Sequence, residues 1–363
     1  MKRPCLEYRK VPRGSAFLID GKLQFDSRDE AIYHEALVLP SLFLTLDRVK
    51  RPLNALVIGG GDGLALKRLL NCDRLNRATL VDYDKRVLAL GRGKFSELNG
   101  KAFEDPRVTV YCRDARDYIR TSRETFDLIL ADFTSPDNPA GCSLFTRSFF
   151  YALRARLSRT GLFALNAVSP ERSPATFWSI YKTLFAAGLR PKPLRFAIPS
   201  FISAGYGEWG MFFASPRPIQ DLELKTLSFG SGNRWLNRKH FDSALRFPTQ
   251  GIKIGFPLSK IIVKPRDMLS LVNLRLQNEA NTGAFANFSR NAASEKALAS
   301  ASNLPDPLVF STHHKNPADR KRLIKELGKA GLKPDSVFPV LSGGGPKTDL
   351  IHIFKKTDRA IPK

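Results

Sequence analysis

LVIGGGDGLALKRLL, residues 56–70, decides the fold. A strand over 54–58 runs into a glycine-rich turn at 59–63, and a helix starts over 64–70. Glycine lets the backbone turn sharply and approach a ligand, while a helix N-terminus offers unpaired N–H groups. Working outward, further strands are predicted at 78–81, 108–111, 126–131 and 161–167. Helices are predicted from about 85, over 148–157 and over 173–187. Strands spaced by helices at this rhythm imply a mainly parallel sheet with helices on both faces. WGMFFAS, 209–215, reads as a late antiparallel strand near the sheet edge. On the N-terminal side, SAFLIDGKLQFD (15–26) reads as a hairpin turning at Asp20-Gly21, followed by a helix over 28–46.

The 363 residues divide into a hairpin-and-helix region (1–50), the α/β domain (51–250) and a basic C-terminal α+β extension (251–363). In the extension, 276–306 is rich in Asn, Ala and Ser and reads as a linker. Residues 317–331 read as a basic amphipathic helix, and 337–341 with 350–354 as a hairpin closed by 342–347. A composition 43% hydrophobic and 10% aromatic supports a sizeable core. No apolar run approaches the ~20 residues of a membrane span, and the N-terminus lacks a signal-peptide core, so a cytoplasmic protein is expected. The four cysteines and five histidines form no metal-ligand spacing, and no metal is expected. The net charge is +24, and residues 251–363 hold 19 Lys and Arg against 9 Asp and Glu. Nucleic acid is a conceivable partner on charge, but no binding motif supports it.

Four carboxylates fall at or just past strand C-termini, the edge where open α/β sheets bind ligands: Asp62, Asp82, Asp114 and Asp132. An acid at the end of the second strand can accept from ribose hydroxyls, which picks Asp82, and Asp114 is placed for the adenine amino group. The glycines 59, 61 and 63 bring the backbone close. Asp62 inside the turn would repel a pyrophosphate and favours a cationic sulfonium or ammonium ligand.

These segments, with EDPRVTV (104–110), FDLILADFTSPDNP (126–139), SLFTRSFF (143–150), DGKLQFDSRDEAIYHEAL (20–37), NAVSPERSPATFWSI (166–180) and YGEWGMFFAS (206–215), resemble the spermidine synthases, or polyamine aminopropyltransferases. The match runs over roughly 15–250 and is nearest the bacterial branch often fused to membrane helices; no such helix is expected within these 363 residues. It implies a Rossmann-like fold of the S-adenosylmethionine-methyltransferase type. It also implies transfer of an aminopropyl group from decarboxylated S-adenosylmethionine, as co-substrate with no cofactor, to a small-molecule amine. Homo-oligomerisation is implied as well.

By the same resemblance, Gly59, Gly61, Asp62, Gly63 and Gln24 bind the nucleoside. Asp62 takes the amino end of the aminopropyl arm, Asp82 the ribose, and Asp114 with Ala115 the adenine. Tyr33 and His34 line the amine tunnel, and Asp132 steers and deprotonates the amine. Trp209 is expected near the amine or as a core aromatic. Ser135 stands where the family carries a second acid after the fourth strand, so attraction for a diamine should weaken. Two other readings are open: a methyltransferase on the same scaffold, or a catalytically degenerate relative with an RNA-binding or scaffold role.

Overall fold

The computed structural model describes residues 4–134, 136, 139–247, 259–269, 271, 308–312, 332–341 and 348–356. Two compact units, Met1–Leu269 and Ser270–Lys363, make up the chain. The first begins with an antiparallel sheet of β1 (Leu6–Val11), β2 (Gly14–Ile19) and β3 (Lys22–Asp26). β2 and β3 are the expected hairpin, with Asp20 and Gly21 both at positive φ in the turn. β1 escaped the sequence reading because LEYRKV buries nothing fully and exposes Arg9 and Lys10.

Then follow α1 (Glu30–Arg48), β4 (Leu53–Gly59), α2 (Leu64–Leu70), β5 (Leu75–Asp82), α3 (Lys85–Arg92), β6 (Val108–Cys112), α4 (Ala115–Thr121), β7 (Phe126–Asp132), α5 (Pro139–Ser143), α6 (Arg147–Arg154), β8 (Leu157–Asn166), α7 (Pro174–Ala186), β9 (Arg190–Phe196), α8 (Pro199–Ser203), β10 (Trp209–Ser215), α9 (Asp221–Thr226) and α10 (Arg238–Ala244). Their seven strands form one sheet in the order β6-β5-β4-β7-β8-β10-β9. β6 through β8 are parallel; β10 runs antiparallel to β8 and β9. The chain steps from β4 to β5 and β6 on one side, then returns to β7 on the other. Loops leaving β4 and β7 therefore diverge and open a crevice between them.

One boundary differs from expectation by a physical margin. The helix predicted over 148–157 stops at Arg154, and Leu157 already starts β8. β10 is antiparallel and near the edge as expected, second to β9, which forms the edge itself. β9 was passed over because Pro191 and Pro193 argue against a strand; an edge strand tolerates them, having N–H positions with no partner to serve. The same prolines blunt that edge against further pairing.

α1 covers the crevice side of the sheet. Its sequence, EAIYHEALVLPSLFLTLDR, is apolar on nearly every face, the pattern of a buried helix, and Val38 and Leu44 are fully buried. Pro40 removes one backbone donor from its interior; the buried hydroxyls that follow bond back along the helix, Ser41 Oγ donating to the Val38 carbonyl at 3.0 Å and Thr45 Oγ1 to the Ser41 carbonyl at 2.7 Å. Asp29, just ahead of α1, accepts from the backbone N and the hydroxyl of Ser200 at 2.7 and 2.8 Å, bolting α8 to the start of α1.

The second unit contains an antiparallel sheet ordered β11 (Leu308–Thr312), β13 (Thr348–Lys356), β12 (Leu332–Leu341). β12 and β13 are the expected hairpin with longer arms, pairing Leu341 with Thr348; β11 was not anticipated. The linker-like 276–306, the helix read over 317–331 and the loop 342–347 lie outside the described residues. Among the described residues, no helix is long and apolar enough to cross a membrane.

Candidate active site

The glycine turn is dictated by what crowds it. Gly59 has φ +77°, and a Cβ there would stand 2.1 Å from the Asp132 carbonyl oxygen. Gly59 and Asp132 are paired across β4 and β7, so only a residue without a side chain lets the two strand ends lie flush. At Gly61 a Cβ would meet Asp82 Oδ2 at 2.7 Å, and at Gly63 (φ +82°) it would meet Phe103 at 2.6 Å.

Asp62 sits in this turn. Its Oδ1 accepts the Leu64 N–H at 2.8 Å, so it caps α2, and its side chain also faces His34 and Asp132. Burial, together with the neighbouring Asp132 charge and against the pull of His34, pushes its carboxyl up to about 6. Asp132 ends β7. Burial raises its carboxyl too, while His34 and a 2.6 Å hydrogen bond donated by the Tyr33 hydroxyl pull the other way. The Tyr33 phenol is driven well above its ordinary value, first by burial and then by Asp132, so it stays a donor.

His34 is buried. Its Nδ1 lies 2.8 Å from the Glu30 carbonyl oxygen and 3.0 Å from Glu30 Oε2. Burial alone would lower its pKa; the Glu30 hydrogen bond and charge outweigh it, and the imidazole is raised. Glu30 is itself held down to about 2, because His34 and Arg68 overcome the cost of burial. Its Oε1 accepts from Arg68 at 3.1 Å and Arg234 at 3.2 Å. Glu35, on the same helix, accepts the backbone N–H groups of Arg234, Trp235 and Leu236, each at 2.8 Å. A charged underlayer thus supports the α1 face that carries Tyr33 and His34.

Asp82, the last residue of β5, is buried and pushed up to about 6 by that burial. Its two oxygens accept the Gly61 N–H at 3.0 Å and the Asp84 N–H at 2.8 Å, each keeping a lone pair for a ligand hydroxyl. Asp114 differs. It caps α4 by accepting the Arg116 N–H at 2.8 Å, is partly exposed, and is gripped by the Arg116 guanidinium at 2.7 and 3.0 Å, which holds its carboxyl below the ordinary range. Gln24 is half-buried and donates to the Lys22 carbonyl at 2.9 Å. Trp209 is buried and spends its indole N–H on Asn166 Oδ1 at 2.8 Å. Ser135 lies outside the described residues.

The structure therefore brings Tyr33, His34, Asp62 and Asp132 together, and links Asp82 to the same turn through Gly61. His34, Asp62 and Asp132 each offer one ligand atom within 4.8 Å of the others, and among the described residues these three could hold a metal ion. Two adjacent acids are equally a receptor for an organic cation, and Tyr33 and Glu30 already occupy one Asp132 oxygen and the His34 Nδ1. Sequence reasoning passed over Glu30, Glu35, Arg68, Arg234 and Asn166. Their signal is burial of a charged or amide group opposite a distant partner, which no local pattern carries.

Residues 30–218 match the family profile of the spermine/spermidine synthase domain. A polyamine aminopropyltransferase of Ralstonia nicotianae is 41% identical over 204 residues, covering 54% of this chain and 38% of that protein. One of Leptospira interrogans is 33% identical over 245 residues, covering 67% and 47%. The chain spans about half or less of the length of these curated relatives. A spermidine synthase solved with the transition-state analogue AdoDATO superposes with a TM-score of 0.61 at 24% identity, over 70% of this chain and 85% of that one. The Thermotoga maritima spermidine synthase does so at 0.60 and 24%, over 70% and 84%. At that identity the likeness speaks to the fold, which is the methyltransferase-like one that the resemblance implied. With more than half its length matched to the profile, the chain belongs to the spermine/spermidine synthase family.

Proposed function

We propose that this chain transfers an aminopropyl group from decarboxylated S-adenosylmethionine to a small amine and releases methylthioadenosine. The observation that carries the reading is the part-buried Tyr33–Asp132 pair beside Asp62, at the crevice where the sheet order reverses. Asp62 receives the cationic amino end of the aminopropyl arm; Asp82 takes the ribose and Asp114 the adenine edge. The carbon bonded to the sulfonium is already activated, so placing the amine in line is the main task. The amine nitrogen attacks that carbon, and the C–S bond breaks with its electron pair passing to sulfur. The proton that the nitrogen must lose goes to Asp132, a carboxylate whose raised pKa suits it as a base. Tyr33 holds that carboxylate in one orientation.

Purified protein given decarboxylated S-adenosylmethionine and a panel of mono- and diamines should release methylthioadenosine with at least one of them. Silence across the whole panel sinks the reading. Tighter calorimetric binding of S-adenosylmethionine than of its decarboxylated form, by tenfold or about 1.4 kcal/mol, would instead support methyl transfer. In the same panel Ser135→Asp should favour diamines, by adding a negative charge where this sequence has a hydroxyl.

The pH dependence has a definite sign. A carboxyl with its midpoint near 6 is about one-tenth ionised at pH 5. Asp62 and Asp82 are both at about 6, so kcat/KM for the sulfonium nucleoside should fall steeply as pH drops from 7 to 5, by at least about tenfold. Tyr33→Phe removes a hydrogen bond that lowers the Asp132 pKa, so the acid limb of kcat should move to higher pH. A flat profile between pH 5 and 7 would refute this account of the acids.

A further inference from the structure

We infer that Trp209 and Asn166 are positioning residues for Asp132, acting as a clamp on the end of β7. This rests on the reading of Asp132 as the group that takes the amine's proton. The Trp209 indole N–H donates to Asn166 Oδ1 at 2.8 Å, and Asn166 Nδ2 donates to the Phe133 carbonyl at 2.5 Å. Phe133 is the residue directly after Asp132, where β7 has ended and the ladder no longer holds the chain. With the Phe133 ring packed on Phe145 and Phe149, the Asn166 hydrogen bond fixes the first peptide after Asp132, where the loop leaves the strand. Asn166 is the last residue of β8 and is paired with Met211 on β10, so the clamp stands on the body of the sheet. Both residues are buried, and each of the two hydrogen bonds is made out of water.

The same indole reaches Asp132 from its other side. Trp209 packs edge-on against Phe201 at 5.0 Å between ring centres, and Phe201 lies 6.0 Å from the ring of Tyr33, whose hydroxyl holds Asp132 Oδ1. Phe201 belongs to α8, itself fixed to the start of α1 by Asp29. The contacts close into a ring: Trp209 to Asn166 to the Phe133 main chain, and Trp209 to Phe201 to Tyr33 to the Asp132 carboxylate. Trp209 is the one residue shared by the two arms. That assigns its N–H a purpose other than a hydrogen bond to the amine.

The test separates the N–H from the ring. Trp209→Phe keeps an aromatic of similar shape and removes the donor; Asn166→Ala removes both hydrogen bonds. Each should lower kcat on the order of tenfold, a size typical of small misplacement at a reacting centre, with the nucleoside KM held within about twofold. The double variant should be no slower than Asn166→Ala, because the two act in series. Wild-type kcat in Trp209→Phe overturns the proposal, as does a loss carried in KM or matched by a drop in melting temperature. The protein holds three tryptophans, and the Trp209 indole N–H should give a slowly exchanging NMR signal that shifts in Asn166→Ala. An absent or unshifted signal disproves the clamp itself. A wild-type protein with no turnover but a shifted signal would disprove the aminopropyl-transfer reading and leave the hydrogen bonds demonstrated.

Discussion

Asp132→Asn is expected to slow methylthioadenosine release by about 10²–10⁴-fold, the range that loss of a general base produces. That corresponds to about 3–5 kcal/mol of barrier. Asparagine keeps an oxygen for the Tyr33 hydroxyl and nearly the same volume, so the fold and the β4–β7 pairing should survive. It cannot take a proton at neutral pH. Nucleoside binding should change much less than turnover, because Asp62 and Asp82 keep their charge. The check is single-turnover release of methylthioadenosine alongside a calorimetric titration of the nucleoside. A variant within about threefold of wild type would remove Asp132 from the proton transfer, leaving Tyr33 and His34 as the groups to examine.

Gly59→Ala should be the most damaging small substitution in the turn. The residue sits at φ +77°, a conformation that costs an L-residue roughly 1–2 kcal/mol. Its Cβ would stand 2.1 Å from the Asp132 carbonyl oxygen, and relieving such a contact by backbone movement costs about 1–3 kcal/mol more. Together these predict a loss of about 2–5 kcal/mol, or roughly 10 °C in melting temperature for a unit of this size. Gly21→Ala is the internal comparison: φ is +74°, but nothing lies within 4 Å of the added carbon. It should show only the conformational cost. Equal melting temperatures for the two variants would mean that the close approach of β4 and β7 is not what selects glycine at 59.

The parts of this molecule that were legible in the sequence are those set by short-range patterns. Apolar runs marked β4 and β7, glycines marked the turn between β4 and α2, and acids following each run marked the strand ends. Asp62, Asp82, Asp114 and Asp132 could be placed on one edge because strands joined by helical crossovers run parallel, so their C-termini lie together. What stayed hidden depends on pairing across long separations. Asn166 meets Phe133 and Trp209 only after β8 is laid between β7 and β10, and Arg234 meets Glu30 across 204 residues. Asp114 is an intermediate case. Its grip by Arg116 is an Asp-x-Arg pattern that recurs at Asp26–Arg28, Asp84–Arg86 and Asp105–Arg107, so the pairing could have been read locally. β9 was hidden by its own prolines, which penalise strands everywhere except at the edge it occupies.

The Glu35 carboxylate has a consequence for how the chain is made. It is synthesised early, yet the three amides it binds come 199, 200 and 201 residues later. At ribosomal rates of about 5–20 residues per second, that delay is roughly 10–40 seconds. During that interval α1 is apolar on most faces and carries two acids without all of their eventual partners. The nascent polypeptide must therefore either leave this helix hydrated and loosely associated, or shield it with a chaperone, until the Arg234–Leu236 segment leaves the exit tunnel and the core can close.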